Sequence, residues 1–474
     1  MDINLFVSNS VEEKSELYTS LSDQIWSFAE IGFNENQSSA VLMNALKSEG
    51  FSIQSGIAGL TTGFMASFGS GNPVIAFLGE FDALAELSQE AGVFGHSPVI
   101  EGENGHGCGH NLLGVGSLAA AVAVKEYLQS HPEVKGTVHY FGCPAEESGY
   151  GKAFLVREGY FRDVDAALSW HPHILNVVPH GSTNAVVHAT FNFKGISAHA
   201  GAFPHLGRSA LDAVELMNVG ANYMREHMVD QARLHYAITN AGGISPNVVQ
   251  AEAEVTYLVR APQITQVQEL FNRLVRIAEG AALMTGTQME YVFEGACANI
   301  IPNNTLESLM HQNLSALGVP KYNEEEISMA KSFYQCIPEQ TKKESTYLVG
   351  PQLGSILAER PLAGFIVPYS GENLRFTTSS TDVGDVSWNV PTAQCLISTL
   401  AFGTPKHTWL TVAQGKTSYA HKGMLLAAKT MASTAIEAML NPSIIEKAKS
   451  ELKERLRGEK YICLVPTDVH PPAK

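Results

Sequence analysis

The sequence has 474 residues, 45% hydrophobic and 16% charged, which is enough apolar material for packed cores and excludes wholesale disorder. Its formal net charge is −16. A surface this acidic repels phosphate backbones, so a nucleic-acid partner is not expected. The length suggests about three domains, or two larger ones. The N-terminal stretch MDINLFVSNSVEEKSE has neither a basic nor an apolar leader region, so no signal peptide is expected. The longest apolar run, 112–124, falls well short of the roughly 20 residues a bilayer needs. Six scattered cysteines do not form a disulfide pattern, and a soluble, cytoplasmic protein is expected.

In chain order, 10–50 reads as two helices and FSIQSG as a strand. VIAFLG (74–79), GTVHYFGC (136–143) and DAALSW (165–170) read as buried strands, with a helix over 112–129. Strands alternating with helices predict a largely parallel sheet. The texture changes near 184. AVVHATFNFKG alternates apolar and polar residues, as a half-exposed antiparallel strand does. A helix, two strands, a second helix and the strand TQMEYVFEGA follow, giving the β-α-β-β-α-β order of a ferredoxin-like unit. The expected division is 1–183 and 299–474 for the larger domain, with 184–298 inserted. Residues 316–350 read as a surface loop or short helices, QCLISTLAFG (394–403) as a buried strand and 418–440 as a long closing helix.

Residues suited to metal binding follow the strands. Glu80 and Asp82 come after VIAFLG, Glu146 and Glu147 after GTVHYFGC, His171 and His173 after DAALSW, and His407 after CLISTLAFG. His106, Cys108 and His110 precede the helix at 112. Sites in open α/β sheets form outside the carboxyl ends of the strands, so these groups are expected to share one crevice. A lone histidine after a strand is ordinarily structural, and an acidic pair is ordinarily a solvated turn. Here the pair directly follows a buried apolar strand, which is costly unless something positive sits there. Cys108 and His110 are too close for a zinc-finger pattern, and no second cysteine pair completes one. A mixed nitrogen, oxygen and sulfur site with open coordination positions is therefore favoured over a structural one. A Cys108–His110 nucleophile and base pair stands as the competing reading, although i, i+2 neighbours on a loop are awkward partners. Phosphate- and dinucleotide-binding glycine motifs are missing, as are G-x-S-x-G and H-E-x-x-H.

GEFDAL, GENGHGCGHN, CPAEE, WHPH, FKGISAHAGAFPHLGRSALDAV, GGISPNVVQAEAEV and GTPKHTWLTVAQGKTSYAHKGM together resemble the M20 metallopeptidase family, in its hippurase/amidohydrolase branch, from about residue 15 to 440. The resemblance implies an α/β fold: a zinc-peptidase-like, mostly parallel sheet with helices on both faces, and an inserted ferredoxin-like lid and dimerisation domain. It implies two divalent ions, Mn2+ or Zn2+, held by Cys108, His110, Glu147, His171 and His407. Glu146 is then the general base and Asp82 orients a ligand imidazole. His199 stabilises the oxyanion, and Asn247 and Arg260 hold the substrate carboxylate. For Arg260 an ordinary surface salt bridge is an equal alternative. Many relatives carry a metal-binding histidine where this chain has Glu80, and the Cys108/His110 pair replaces that ligand. Thiolate favours zinc, whereas relatives of this branch often use manganese.

The implied activity is a metal-dependent amidohydrolase acting on a small N-acyl amino acid. The leading substrate is p-aminobenzoyl-glutamate, a folate catabolite. Dipeptides and other N-acyl amino acids are the alternatives, and an inactive assembly component is the non-enzymatic one. The expected assembly is a homodimer or a heteromer with a related, non-identical chain.

Overall fold

The computed structural model describes residues 2–372 and 374–472. Among them twelve strands form: β1 Ser52–Ser55, β2 Phe64–Ser70, β3 Val74–Glu80, β4 Gly136–Cys143, β5 Ala166–His173, β6 Gly181–Ser182, β7 Ala185–Lys194, β8 Arg233–Asn240, β9 Glu252–Ala261, β10 Gln288–Cys297, β11 Arg375–Phe376 and β12 Thr392–Ser398.

The large sheet has the order β1-β2-β4-β3-β5-β12. Its β4-β3-β5-β12 portion is parallel, and β2 and β1 add an antiparallel margin. All seven residues of β3 are buried, as expected of a continuous apolar run covered on both faces. One face packs against the helices His110–Ser130 and Ser418–Leu440 around Phe77, Tyr140 and Trp170. The other is covered by Gly151–Arg157 and Val383–Ser387 around Leu78, Phe141 and Phe154. This is the expected mostly parallel sheet between helical layers.

The second sheet runs β10-β7-β9-β8 and is antiparallel throughout. Helices Ala210–Met224 and Ile264–Thr285 cover one face around Phe191, Val255 and Leu274. Reading β7, helix, β8, β9, helix, β10 reproduces the ferredoxin-like order expected from the pattern.

Local differences have physical causes. The N-terminal region makes three helices, Ile3–Glu13, Ser15–Phe28 and Asn36–Ser48, because the chain breaks helical geometry at Lys14. β2 is not legible in MASFGS, whose small and polar residues hide its alternation. The polar stretch after 316 forms the helices Glu324–Cys336 and Glu339–Val349. Asn323 and Glu326 make a reciprocal capping box that starts the first of them. No helix among the described residues is long and apolar enough to cross a membrane.

Candidate active site

Four strand ends and one helix start deliver the site. β3 ends on Glu80, with Asp82 two residues beyond. After β4 the chain turns through Ala145 at φ 58°, a left-handed conformation strained for a residue with a Cβ. The buried Glu35 carboxylate holds that turn by accepting the Ala145 N–H at 2.8 Å and the Thr62 hydroxyl at 2.8 Å. Glu146 and Glu147 follow. β5 carries His171 near its end, and helix His110–Ser130 opens on His110 just after Cys108. Beyond β12, the His407 N–H donates to the Gly107 carbonyl at 2.8 Å and ties its turn to the Cys108 loop.

These groups meet. Cys108 Sγ lies 3.4 Å from His171 Nε2. Glu147 Oε1 lies 3.5 Å from His407 Nε2 and 3.9 Å from His110 Nε2. The potential ligand atoms form three overlapping groups: Cys108, His110 and His171; Cys108, Glu147 and His407; Glu80, His110 and Glu146. The five expected ligands therefore share one cluster, with Glu146 beside them. Asp82 supports it from behind. Its Oδ1 lies 2.8 Å from His110 Nδ1, and its Oδ2 accepts the Glu147 N–H at 2.9 Å. An Nδ1–H donated to Asp82 leaves the His110 Nε2 lone pair facing the cluster.

The electrostatics separate the two adjacent glutamates. Burial, then the charges of Glu80 and Glu147, push the Glu146 carboxyl well above its ordinary range. Burial acts the same way on Glu147, but the adjoining His407 imidazole and the charge of His110 outweigh it and hold this carboxyl at about 2. His407 is raised to about 10 by the adjoining Cys108 and Glu147 side chains. His171 is kept neutral by burial and the nearby Lys406. Its Nδ1 lies 2.8 Å from the Pro172 carbonyl, which leaves Nε2 toward Cys108.

The residues fit a divalent cation. Glu80 Oε2, His110 Nε2 and Glu147 Oε1 are buried without a hydrogen-bond partner. Acceptors crowded together in this way are costly unless a cation lies among them. The mixture of thiol, imidazole and carboxylate suits a borderline ion.

Other expected residues lie elsewhere. His106 bonds the Ile25 carbonyl, and His173 Nδ1 accepts the Leu175 N–H, so both are structural. His199 and Asn247 are exposed neighbours on the small unit, joined through the Ala200 N–H to Asn247 carbonyl bond. Among the described residues the His199 ring bonds only within its own loop, accepting the Gly201 and Ala202 N–H groups at Nδ1. Arg260, on β9, donates from Nη1 to Ser380 Oγ at 3.1 Å, and its Nε is buried without a partner. Among the described residues the surface salt bridge considered for it does not form.

Two residues beneath the site escape sequence reasoning. The ammonium of Lys152, fully buried, lies 2.6 Å from both Glu80 Oε1 and Asp382 Oδ1. The signal for Lys152 was available, as a lysine inside the apolar helix GKAFLVR; nothing local marks Asp382 as its partner.

An α/β sheet with a thiol, imidazole and carboxylate cluster at its strand ends, flanked by an antiparallel unit, defines a divalent-metal hydrolase. The family model Peptidase family M20/M25/M40 matches residues 76–333. The chain is 48% identical to one of the chains of p-aminobenzoyl-glutamate hydrolase from Escherichia coli, over 99% of each sequence. It is 28% identical to Xaa-Arg dipeptidase of Mus musculus, over 95% of this chain and 92% of that one. Its fold matches the crystal structure of a dinuclear metal-binding M20 peptidase from Bacillus subtilis with a TM-score of 0.53 at 18% identity, over 89% of this chain and 98% of that one. The chain belongs to peptidase family M20, and it is a hydrolase that works with divalent metal ions.

Proposed function

We propose that this chain hydrolyses the amide bond of p-aminobenzoyl-glutamate, giving p-aminobenzoate and glutamate. The observation that carries the reading is the 48% identity with the E. coli p-aminobenzoyl-glutamate hydrolase chain along essentially the whole of both sequences. Two divalent ions, Mn2+ or Zn2+, are held by Cys108, His110, Glu147, His171 and His407, and the shared position of Cys108 in two donor groups supports this set. When bound, such ions polarise the scissile carbonyl and lower the pKa of water. Glu146 takes the proton of the attacking water and returns it to the departing amine, a role that its place beside the donor cluster supports. Asp82 keeps His110 in the required tautomer and fixes the backbone of Glu147.

The remaining roles fall to the small unit, 184–298, as lid and dimerisation domain between the catalytic portions 1–183 and 299–474. His199 accepts two N–H groups at Nδ1, so its proton sits on Nε2, the tautomer that donates to a developing oxyanion. Arg260 and Asn247 bind the substrate carboxylate, and the unpartnered Nε of Arg260 supports its part. Among the described residues, the hydrogen bonds of the His199 ring stay within its own loop and it is in none of the donor groups, which favours an assembly that brings it to a neighbouring site. The exposed edge strand β8, with Tyr236 and Ile238 outward, is suited to that pairing. The partner is a second copy or a related, non-identical chain; the E. coli hydrolase, whose name covers two different chains, supports the second form. We place the protein in the cytoplasm.

The test is a substrate panel under Mn2+ and under Zn2+. p-Aminobenzoyl-glutamate is expected to outrun hippurate and dipeptides, and its α-amide to be poor. Preferential turnover of dipeptides would establish the alternative suggested by the dipeptidase relative. No turnover of any substrate by metal-loaded protein would leave the inactive-component reading.

A further inference from the structure

The cluster contains a carboxylate outside the five-residue donor set. Glu80 is buried, with 1% of its surface exposed, and His110 is wholly buried. Glu80 Oε2 lies 3.4 Å from His110 Nε2, and neither atom has a hydrogen-bond partner. We propose that Glu80 is a further metal ligand, donating Oε2 to the ion that His110 holds. The inference rests on the metal-dependent reading above and adds one donor to it.

The argument begins with the strand exit. Residues i and i+2 of an extended chain point to the same side. Glu80 and Asp82 therefore both reach the His110 ring, Asp82 at Nδ1 and Glu80 at Nε2. A proton shared by imidazole and carboxylate would draw them to about 2.7–2.9 Å. Two donors bonded to one cation at about 2.0–2.2 Å, at a near-tetrahedral angle, lie farther apart, at about 3.3–3.6 Å. The observed 3.4 Å matches the second case.

The carboxylate is also pre-positioned. Lys152 takes only Oε1, at 2.6 Å. Asp382 fixes Lys152 twice, accepting its backbone N–H at 2.8 Å and its ammonium at 2.6 Å. Glu80 is thus gripped by one oxygen and presents the other to the cluster. Lys152 acts through Glu80 and is a positioning residue. An added carboxylate hardens a thiol and imidazole donor set, which favours Mn2+ more than Zn2+.

The experiment titrates metal-free full-length protein with Mn2+ alone and with Zn2+ alone, following ions bound per chain and their affinities by calorimetry. Glu80→Gln is expected to weaken Mn2+ at one of the two sites by roughly 100-fold and Zn2+ by less, since loss of even an orienting partner costs about 10–100-fold. Asp382→Asn disturbs the same buried network but acts on Glu80 only through Lys152, so it is expected to lose clearly less Mn2+ affinity than Glu80→Gln. Wild-type Mn2+ affinity in Glu80→Gln, or an equal loss in Asp382→Asn, overturns the assignment. Should Glu80→Gln fail to fold, a crystal structure of the Mn2+-loaded wild type decides. An ion to Oε2 distance near 2.2 Å is expected, and one beyond about 3 Å overturns the proposal. A wild type that binds no divalent ion refutes the metal-dependent reading itself, which separates the two failures.

Discussion

Lys152→Met removes a charge and keeps the approximate length of the side chain, so its cost reports on electrostatics. The ammonium is buried and stands 2.6 Å from each of Glu80 Oε1 and Asp382 Oδ1. Removing one partner of a buried ion pair typically costs about 3–5 kcal/mol, because a charge is left without compensation. Here two carboxylates lose the same cation, which places the expected loss at the upper end of that range. Asp382 already titrates above the ordinary carboxylate range, because burial outweighs the opposing pull of Lys152. Without Lys152 its folded-state pKa rises further. The protonated, unpenalised form then prevails at low pH and is lost as pH rises, so the deficit of the variant is larger at pH 8 than at pH 5. The assay is paired urea denaturation of metal-free wild type and variant at both pH values. The triple variant Glu80→Gln/Lys152→Met/Asp382→Asn, neutral at all three positions, is expected to recover most of the loss. A single variant within about 1 kcal/mol of wild type, or a deficit that grows as pH falls, would refute the reasoning.

Three further outcomes follow from the same geometry. Asp82→Asn is expected to lower metal affinity by about 10–100-fold, because it disturbs the orientation of His110 and the anchor of the Glu147 backbone; calorimetry with Mn2+ measures it. Glu146→Ala is expected to keep its metals and lose about 10²–10⁴-fold in kcat, whereas Glu147→Ala loses metal first and is partly restored by excess metal; metal content beside kcat separates the two. Gly79→Ala drives a Cβ into the buried Tyr140 hydroxyl oxygen, well inside van der Waals contact, so overpacking is expected to cost about 1–3 kcal/mol in denaturation experiments.

The sequence was most readable where one physical requirement dominated. β3, β4, β5 and β12 are buried strands, and their apolar runs mark them before any fold is known. Ligand-type residues directly after such runs then indicate a shared crevice. Orientation was not readable. His106 and His173 have the same sequence credentials as His110 and His171. They are drawn off by the Ile25 carbonyl and the Leu175 amide, contacts that only the folded chain defines. The contacts that hold Glu80 were hidden for a similar reason. Its holder Lys152 lies 72 positions on, and the anchor of that holder lies 230 positions further still.

The position of Asp382 also links the site to the small unit. The segment around it makes polar contacts with both chain crossings. The Ser379 carbonyl accepts the Asn184 N–H at 2.9 Å on the outward crossing, and Ser380 Oγ accepts from Arg260. On the return crossing Asp385 accepts the Ala298 N–H at 3.0 Å, and the Trp388 indole donates to the Asn299 carbonyl at 3.0 Å. Between these contacts Asp382 holds Lys152, Lys152 holds Glu80, and Glu80 faces His110. A rotation of the small unit about its crossings must either break some of these bonds or carry the 378–388 segment with it. In the second case the displacement reaches the Lys152–Glu80 pair through Asp382. Short hydrogen bonds within a close-packed core transmit such a shift without absorbing it, since dense interiors have little compressibility. The same segment therefore joins the placement of Arg260 to the placement of the side chains around His110.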